Sequence, residues 1–519
     1  MALLDVRSLT TRLASEAGWV HALDDLSLSI GKGQTFALVG ESGCGKSMTA
    51  LSIARLLPDC GAVVAGAVRL ASAAQAGDAV DTSANHPDVL RISEAAMRRL
   101  RGKRIGMIFQ EPGTSLNPVM TVGDQLTEAM VLHLGLSAQE AHNQAVQWLD
   151  RVGIPDPKAR MAQFPFEMSG GQKQRVMIAM ALCIQPDLLI ADEPTTALDV
   201  SIQAQVLALL KDLQREHGMA MLLITHDLAI VKQMADHVGL MYAGQLVESA
   251  PVAEFFANPR HPYAHALIKS LPSQGQRGHA LYALEGKVPS LVNLPTGCRF
   301  AARCMHAQAR CREESPFLEQ AGVGHEEHWV RCFLHASVQT TPAEEGTRIA
   351  DEFVPKTHGA VLQTVSLSVA YPQKGGLLRK RYKPVLKNLD LGLLPGRTVA
   401  LVGESGSGKT TAARALLGLI GSAARVDGDV LLEGRPLRQW VERGAQGWRA
   451  RVQFVFQDPF ASLNPRHRIA EILEEPLLNL RPDMDAQARA ARVRAVMEQV
   501  SMPVESLTRF PHEFSGGQR

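Results

Sequence analysis

The sequence predicts an α/β fold made twice in one chain, each copy built around a parallel sheet. Three observations predict it. First, stretches recur in the same order: "FALVGESGCGKSMTA" (36–50) with "VALVGESGSGKTTAA" (399–413), "GMIFQEPGTSLNPVMTVGDQL" (106–126) with "QFVFQDPFASLNPRHRIAEIL" (453–473), and "FPFEMSGGQ" (164–172) with "FPHEFSGGQ" (510–518). A repeat of this length is a duplicated domain and not a solenoid. Second, a short apolar run, "TFALV" or "TVALV", enters each glycine-rich loop and a helix-compatible run leaves it, which reads as strand, loop, helix. Third, apolar runs in copy one end in polar residues, "LLIADE" and "MLLITHD", the pattern of strands buried on both faces.

Copy one is placed at 1–255, a different segment at 256–340, a polar linker with Pro and Gly at 341–359, and copy two at 360–519. Copy one has a longer gap before its "FQEP", filled by "AQAGDAVDTSANHPDVLRIS", which reads as a surface-loop insertion. The chain of 519 residues has 54 basic and 52 acidic side chains, a net charge of +2 that gives no reason to expect a nucleic acid partner. No stretch reaches the ~18 apolar residues of a membrane span. The start, "MALLDVRSLTTRLASEAG", lacks a signal-peptide design, so the expected compartment is the cytoplasm, with any membrane role supplied by a partner.

Gly40, Glu41, Ser42, Gly43, Cys44, Gly45, Lys46 and Ser47 form a G-x-x-x-x-G-K-[ST] loop, and so do Gly403, Glu404, Ser405, Gly406, Ser407, Gly408, Lys409 and Thr410. Glycines let successive N–H groups face one anion, and the helix start adds partial positive charge. Lys46 and Lys409 are expected to reach the β- and γ-phosphates of a nucleotide, and Ser47 and Thr410 to offer a hydroxyl to Mg²⁺. Cys44 stands near a helix N-terminus, where thiol pKa tends to fall, but copy two has Ser407 there, so phosphate binding does not demand a thiol. At the ends of expected strands, Asp192 is read as holding Mg²⁺ and Glu193 as orienting or deprotonating the attacking water. His226 is placed to bond the γ-phosphate, and Gln110 to meet metal or attacking water.

Together "GESGCGKS", Gln110, "MSGGQ", "LLIADE", "TALD" and His226 resemble the nucleotide-binding domain of ABC-type ATPases. The resemblance implies ATP and Mg²⁺ as ligands and two domains paired head to tail. The signature of one domain (Ser169, Gly170, Gly171, Gln172) then closes on ATP held by the other, reciprocally with Ser515, Gly516, Gly517 and Gln518, and Asp199 lies at the seam. Gln457 is the counterpart of Gln110. Tyr371 is expected to stack the adenine of copy two. Copy one has Leu13 at that place, with Trp19 as a substitute, and Phe166 where copy two has His512.

"HPYAHALIKSLP" and "KVPSLVNLPTGCRFAARCMHAQARC…HWVRC" further resemble the C-terminal extension of bacterial peptide, nickel and glutathione importer ATPases. That implies two transmembrane permease partners, a solute-binding protein outside the cell, and a peripheral position on the inner face of the membrane. Cys298, Cys304, Cys311 and Cys332 are spaced C-x5-C-x6-C-x20-C, unlike a C-x2-C ribbon. Four thiolates suit zinc or a [4Fe–4S] cluster, and the family likeness favours a metal. The other readings are a soluble tandem ATPase working on ribosomes or DNA, and a nucleotide-binding fragment without turnover. Copy two ends at Arg519, before the counterparts of Asp192, Asp199 and His226, so its strands are expected to lack cover and its site to hydrolyse poorly.

Overall fold

A computed structural model describes residues 2–16, 18–71, 87–196, 198–271, 282–322, 327–335, 359–373, 381–404, 406–442, 447–456, 462–514 and 518. The chain divides into two compact units, 1–350 and 351–519.

In the first unit β1 (Ala2–Ser15) pairs antiparallel with β2 (Gly18–Gly31) and, on its other side, with β4 (Gly61–Leu70). The register of β1 slips at Ser8, whose φ is 45°, and opposite it Gly66 takes φ 100°. A Cβ on Gly66 would come within 2.6 Å of the Ser8 carbonyl, so this crossing needs glycine.

The main sheet runs through β3 (Thr35–Val39), β5 (Ile105–Ile108), β6 (Leu188–Asp192), β7 (Ala220–Ile224), β8 (His237–Tyr242), β9 (Gln245–Pro251), β10 (Glu319–Gln320) and β11 (Trp329–Val330). Their order among the described residues is β10-β11-β9-β8-β3-β7-β6-β5. Strands β8, β3, β7, β6 and β5 are parallel, and β9, β11 and β10 extend the sheet antiparallel. The 256–340 segment therefore adds β10 and β11 to the sheet edge, which its sequence did not announce.

Burial follows the strand alternation. Phe36, Leu38, Leu188, Ile190, Leu222 and Ile224 face the antiparallel sheet and helix α1 (Lys46–Ala54). Leu189, Ala191, Met221 and Leu223 face helix α2 (Gly170–Leu182), helix α3 (Val200–His217) and the helical arm that includes Val122–Leu134. Ala37, Val39, Leu240 and Tyr242 meet Tyr263 and Phe300 of the extension.

The second unit repeats the antiparallel part. Strand β12 (Leu362–Gln373) pairs with β13 (Arg381–Leu393) and β14 (Arg425–Leu432), and β14 pairs with β15 (Arg435–Pro436). A helix α4 (Lys409–Leu416) follows the second glycine loop. The expected strand "TVALV" does not form: residues 397–404 have no regular structure, and Val402 is 88% exposed. In unit one β3 is held by β7 and β8, whereas among the described residues of unit two no strand pairs with this run. The run "QFVF" (453–456), counterpart of β5, is likewise not a strand, with Val455 94% exposed.

Candidate functional site

Four parallel strands deliver the site to one edge of the main sheet, the carboxyl edge where open α/β sheets bind ligands. The 40–47 loop follows β3, His226 follows β7, Asp192 ends β6 with Glu193 next, and Gln110 follows β5. Gly40 takes φ 147°, and a Cβ there would meet the Met241 carbonyl at 2.3 Å. Gly45 takes φ 106°, and its Cβ would meet the Ala22 carbonyl at 2.4 Å. Only glycine lets the loop thread between β2 and β8.

The Lys46 ammonium donates to the carbonyls of Gly40 (2.8 Å) and Glu41 (2.9 Å), closing the loop on itself. Lys409 does the same with Gly403 and Glu404, both at 2.6 Å. The Cys44 thiol points into the core, 3.8 Å from the Lys46 Nζ. Burial pushes its pKa up, with Lys46 pulling back, so the lowered pKa expected of a helix start is reversed.

Asp192 is buried and accepts from the Ser47 hydroxyl. Burial raises its pKa, the Ser47 bond lowers it, and neighbouring Glu193 raises it again. Its Oδ1 is buried with no hydrogen-bond partner. An orphaned carboxylate oxygen beside a hydroxyl is the hard oxygen pair that Mg²⁺ takes, so these residues fit that ion.

Glu193 has φ 50°, an uncommon backbone for a side chain of its size, and its N–H donates to the Ile224 carbonyl at 2.9 Å. Its carboxylate is held at both oxygens: Thr196 Oγ1 donates to Oε2 (2.8 Å), and His226 Nδ1 lies 3.2 Å from Oε1. Glu193 and His226, from neighbouring strands, are thus brought together. Gln110 lies on the same sheet edge, exposed. Thr196, a hydroxyl in a turn, carries no periodic signal in the sequence that would mark it.

Ser169 caps α2 in a capping box with Gln172: the Gln172 N–H donates to Ser169 Oγ (3.3 Å) and the Ser169 N–H to Gln172 Oε1 (3.0 Å). Farther along α2, the buried Gln174 donates to the Pro194 carbonyl at 2.9 Å, tying the signature helix to the loop that carries Glu193. Asp199 caps α3, its Oδ1 accepting from the Ile202 N–H at 3.0 Å. Trp19 is 54% exposed on β2, paired with Ala14, while Leu13 sits opposite Val20. Tyr371 is half-buried on β12, packed against the cluster of Leu367, Val369 and Ala415. Phe166 stacks on Phe164, and His512 stacks on Phe510, so the two rings make the same local contact. Ser405, Gln457 and Ser515, Gly516 and Gly517 lie outside the described residues.

The extension meets the site directly. The Glu41 N–H donates to the Tyr263 hydroxyl at 3.0 Å, and Arg303 Nη1 donates to both Glu41 carboxylate oxygens at 3.0 and 2.9 Å. Arg299 pairs with Asp24, and Arg331 with Asp25. Of the four cysteines, Cys298 and Cys304 have pKa values raised first by burial and also by neighbouring thiols, and Cys332 is pushed up to about 12. Backbone N–H groups of Phe300, His306 and Leu334 bond these three sulfurs. The thiols are gathered, but among the described residues no group of three or more His, Cys, Asp or Glu is placed to hold a metal ion.

A phosphate loop, an orphaned carboxylate beside a hydroxyl, and a carboxylate–imidazole pair along one sheet edge define a P-loop nucleotide hydrolase. The ABC transporter family pattern matches residues 23–196 and 386–519, and the C-terminal region of oligopeptide/dipeptide transporters matches 247–311. The chain belongs to the ABC transporter ATP-binding family and is an ATPase that uses ATP and Mg²⁺. It is 39% identical over 99% of its length to the glutathione import ATP-binding protein GsiA of Escherichia coli (strain K12), covering 73% of that protein. Against GsiA of Salmonella paratyphi A the identity is 38%, with the same coverage. An ATP-binding cassette solved as a dimer with ADP and Pi is 24% identical, with a TM-score of 0.42, over 48% of this chain and 98% of that one. Among the described residues no helix is long and apolar enough to cross a membrane.

Proposed function

We propose that this chain energises a bacterial importer for peptide-class solutes, glutathione among them, by hydrolysing ATP beside two membrane permeases. The observation that carries it is the near-complete alignment with glutathione import ATP-binding proteins, extension included. An exposed cleft of about 420 Å³ on helix Val122–Leu134, lined by Asp124, Thr127, Glu128, Val131, Leu132 and Ala138, supports docking of a permease segment. Through that partner the chain would sit at the inner face of the membrane.

In the first site Lys46 binds the β- and γ-phosphates, Ser47 and Asp192 hold Mg²⁺, and Gln110 meets the metal or the attacking water. Mg²⁺, when bound, neutralises charge between the phosphates. Glu193, fixed by Thr196 and His226, takes the proton of the attacking water, and His226 bonds the γ-phosphate. Trp19 stands three residues before Ala22, which touches the loop at Gly45, so about 10 Å of strand separates the ring from the phosphates and favours adenine stacking there. Tyr371 has that role at the second loop (403–410). The signatures 169–172 and 515–518 serve each other's sites in a head-to-tail pair, with Asp199 at the seam. Zinc or a [4Fe–4S] cluster on Cys298, Cys304, Cys311 and Cys332 is the sharper reading of the extension, and metal and sulfide analysis of anaerobically purified protein tests it.

Glu193→Gln is expected to retain ATP and lose turnover by ~10²–10⁴-fold. Normal turnover in that variant overturns the assignment of Glu193. For the solute, membrane vesicles carrying the chain with its permeases and binding protein are supplied with ATP and labelled glutathione or a dipeptide. Uptake of neither overturns the solute class.

A further inference from the structure

The phosphate loop carries a carboxylate of its own. Glu41 lies inside an element whose task is to hold a polyanion, and a carboxylate there repels phosphate. The structure answers it from outside the ATPase domain. Arg303, from the extension, pairs with both Glu41 oxygens through one nitrogen, and that nitrogen also lies 3.3 Å from the Tyr242 hydroxyl. Its Nε and Nη2 are taken by the carbonyls of Glu285 (2.9 Å) and Leu284 (3.4 Å). The Arg303 side chain is 5% exposed and that of Glu41 29%, so solvent screens the pair only in part.

Tyr263 holds the other end of Glu41 by accepting its N–H. Tyr263 is itself locked: its ring packs on Tyr242 and Phe300 at 4.9 and 5.3 Å, and its N–H donates to His261 Nδ1 at 3.1 Å. The His261 N–H in turn reaches buried Glu248 on β9 at 2.7 Å. The Glu41 carbonyl accepts from Lys46, so a single residue joins the extension to the phosphate-binding lysine. The extension also bonds β2, the Leu291 carbonyl accepting from the His21 N–H at 2.9 Å, two residues from Trp19.

We propose that Arg303 and Tyr263 are positioning residues of the first ATP site: Arg303 cancels the Glu41 charge, Tyr263 fixes the Glu41 backbone, and nucleotide affinity at this loop is set by the extension. The proposal rests on the nucleotide reading of the loop, which Lys46→Ala tests separately. The experiment uses the full chain with Lys409→Ala in the background, so that binding of a fluorescent ATP analogue reports the first loop.

Arg303→Gln is expected to weaken binding roughly tenfold, and Tyr263→Phe, which removes one oxygen and keeps the packing, about threefold. The kcat of either variant at saturating ATP stays within about twofold of the parent, because the reacting groups are untouched. The decisive variant is Arg303→Gln with Glu41→Gln. Removing the charge that Arg303 neutralises restores most of the lost affinity, which a purely structural arginine would not allow. Binding by Arg303→Gln and Tyr263→Phe equal to the parent overturns the proposal, as does a double variant as weak as Arg303→Gln. Parent and Lys46→Ala binding alike would break the nucleotide reading beneath it.

Discussion

The two copies carry nearly the same loop on different supports. In unit one Gly43 and Gly45 take φ 80° and 106°; in unit two Gly406 and Gly408 take 81° and 97°. Both lysines fold back on the same two carbonyls. The bulge repeats as well: Ser8 and Ser366 have φ 45° and 48°, and a Cβ on Gly428 would meet the Ser366 carbonyl at 2.5 Å, as Gly66 would meet Ser8. Yet the run before the loop is a central strand in one unit and irregular chain in the other. Loop, bulge and antiparallel sheet are settled by residues close in sequence. A parallel strand is settled by partners far along the chain, and β3 depends on β7 and β8, about 180 and 200 residues away.

Hydrogen exchange probes this contrast most directly. The amides of 35–39 should exchange only with global opening, and those of 398–402 several orders of magnitude faster. Equal protection would mean that "TVALV" finds strand partners. Next, Leu38 is fully buried and Leu401 is 45% exposed. Leu38→Ala should cost ~2–5 kcal/mol in denaturant unfolding, and Leu401→Ala less than about 0.5. A smaller gap is expected between Gly40→Ala and Gly403→Ala. In unit one the new Cβ meets a carbonyl at 2.3 Å; in unit two it meets the Ser407 hydroxyl at 2.9 Å, which can rotate away. Thermal shifts of the two variants measure it.

Among the described residues, acid sensitivity from buried histidine is confined to unit one. In unit one burial lowers the pKa of His237 to about 4 and of His261 to about 3. The unfolded chain then takes up protons first, so stability falls as pH drops from about 6.5 toward 4 and below. His237→Gln should flatten the upper part of that slope, read as unfolding midpoint against pH.

Much of this was legible in sequence because it is local. The glycines at 40, 43 and 45, the acid at the end of "LLIAD" and the "SGGQ" helix start each encode their own geometry. The pattern of "TVALV" states burial but not the presence of neighbours. Tyr263 and Arg303 escaped because their partner, Glu41, lies more than 200 residues away and neither sits in a periodic run. At the Cys44 thiol the helix start is visible in sequence, whereas the desolvation that outweighs it is not.

The Arg303–Glu41 pair also has a pharmacological side. Phosphate loops are shared so widely that a compound filling one has little to tell its targets apart. A small molecule wedged between the guanidinium and the carboxylate would compete with ATP while resembling it in nothing. Its selectivity would follow the extension rather than the phosphate loop.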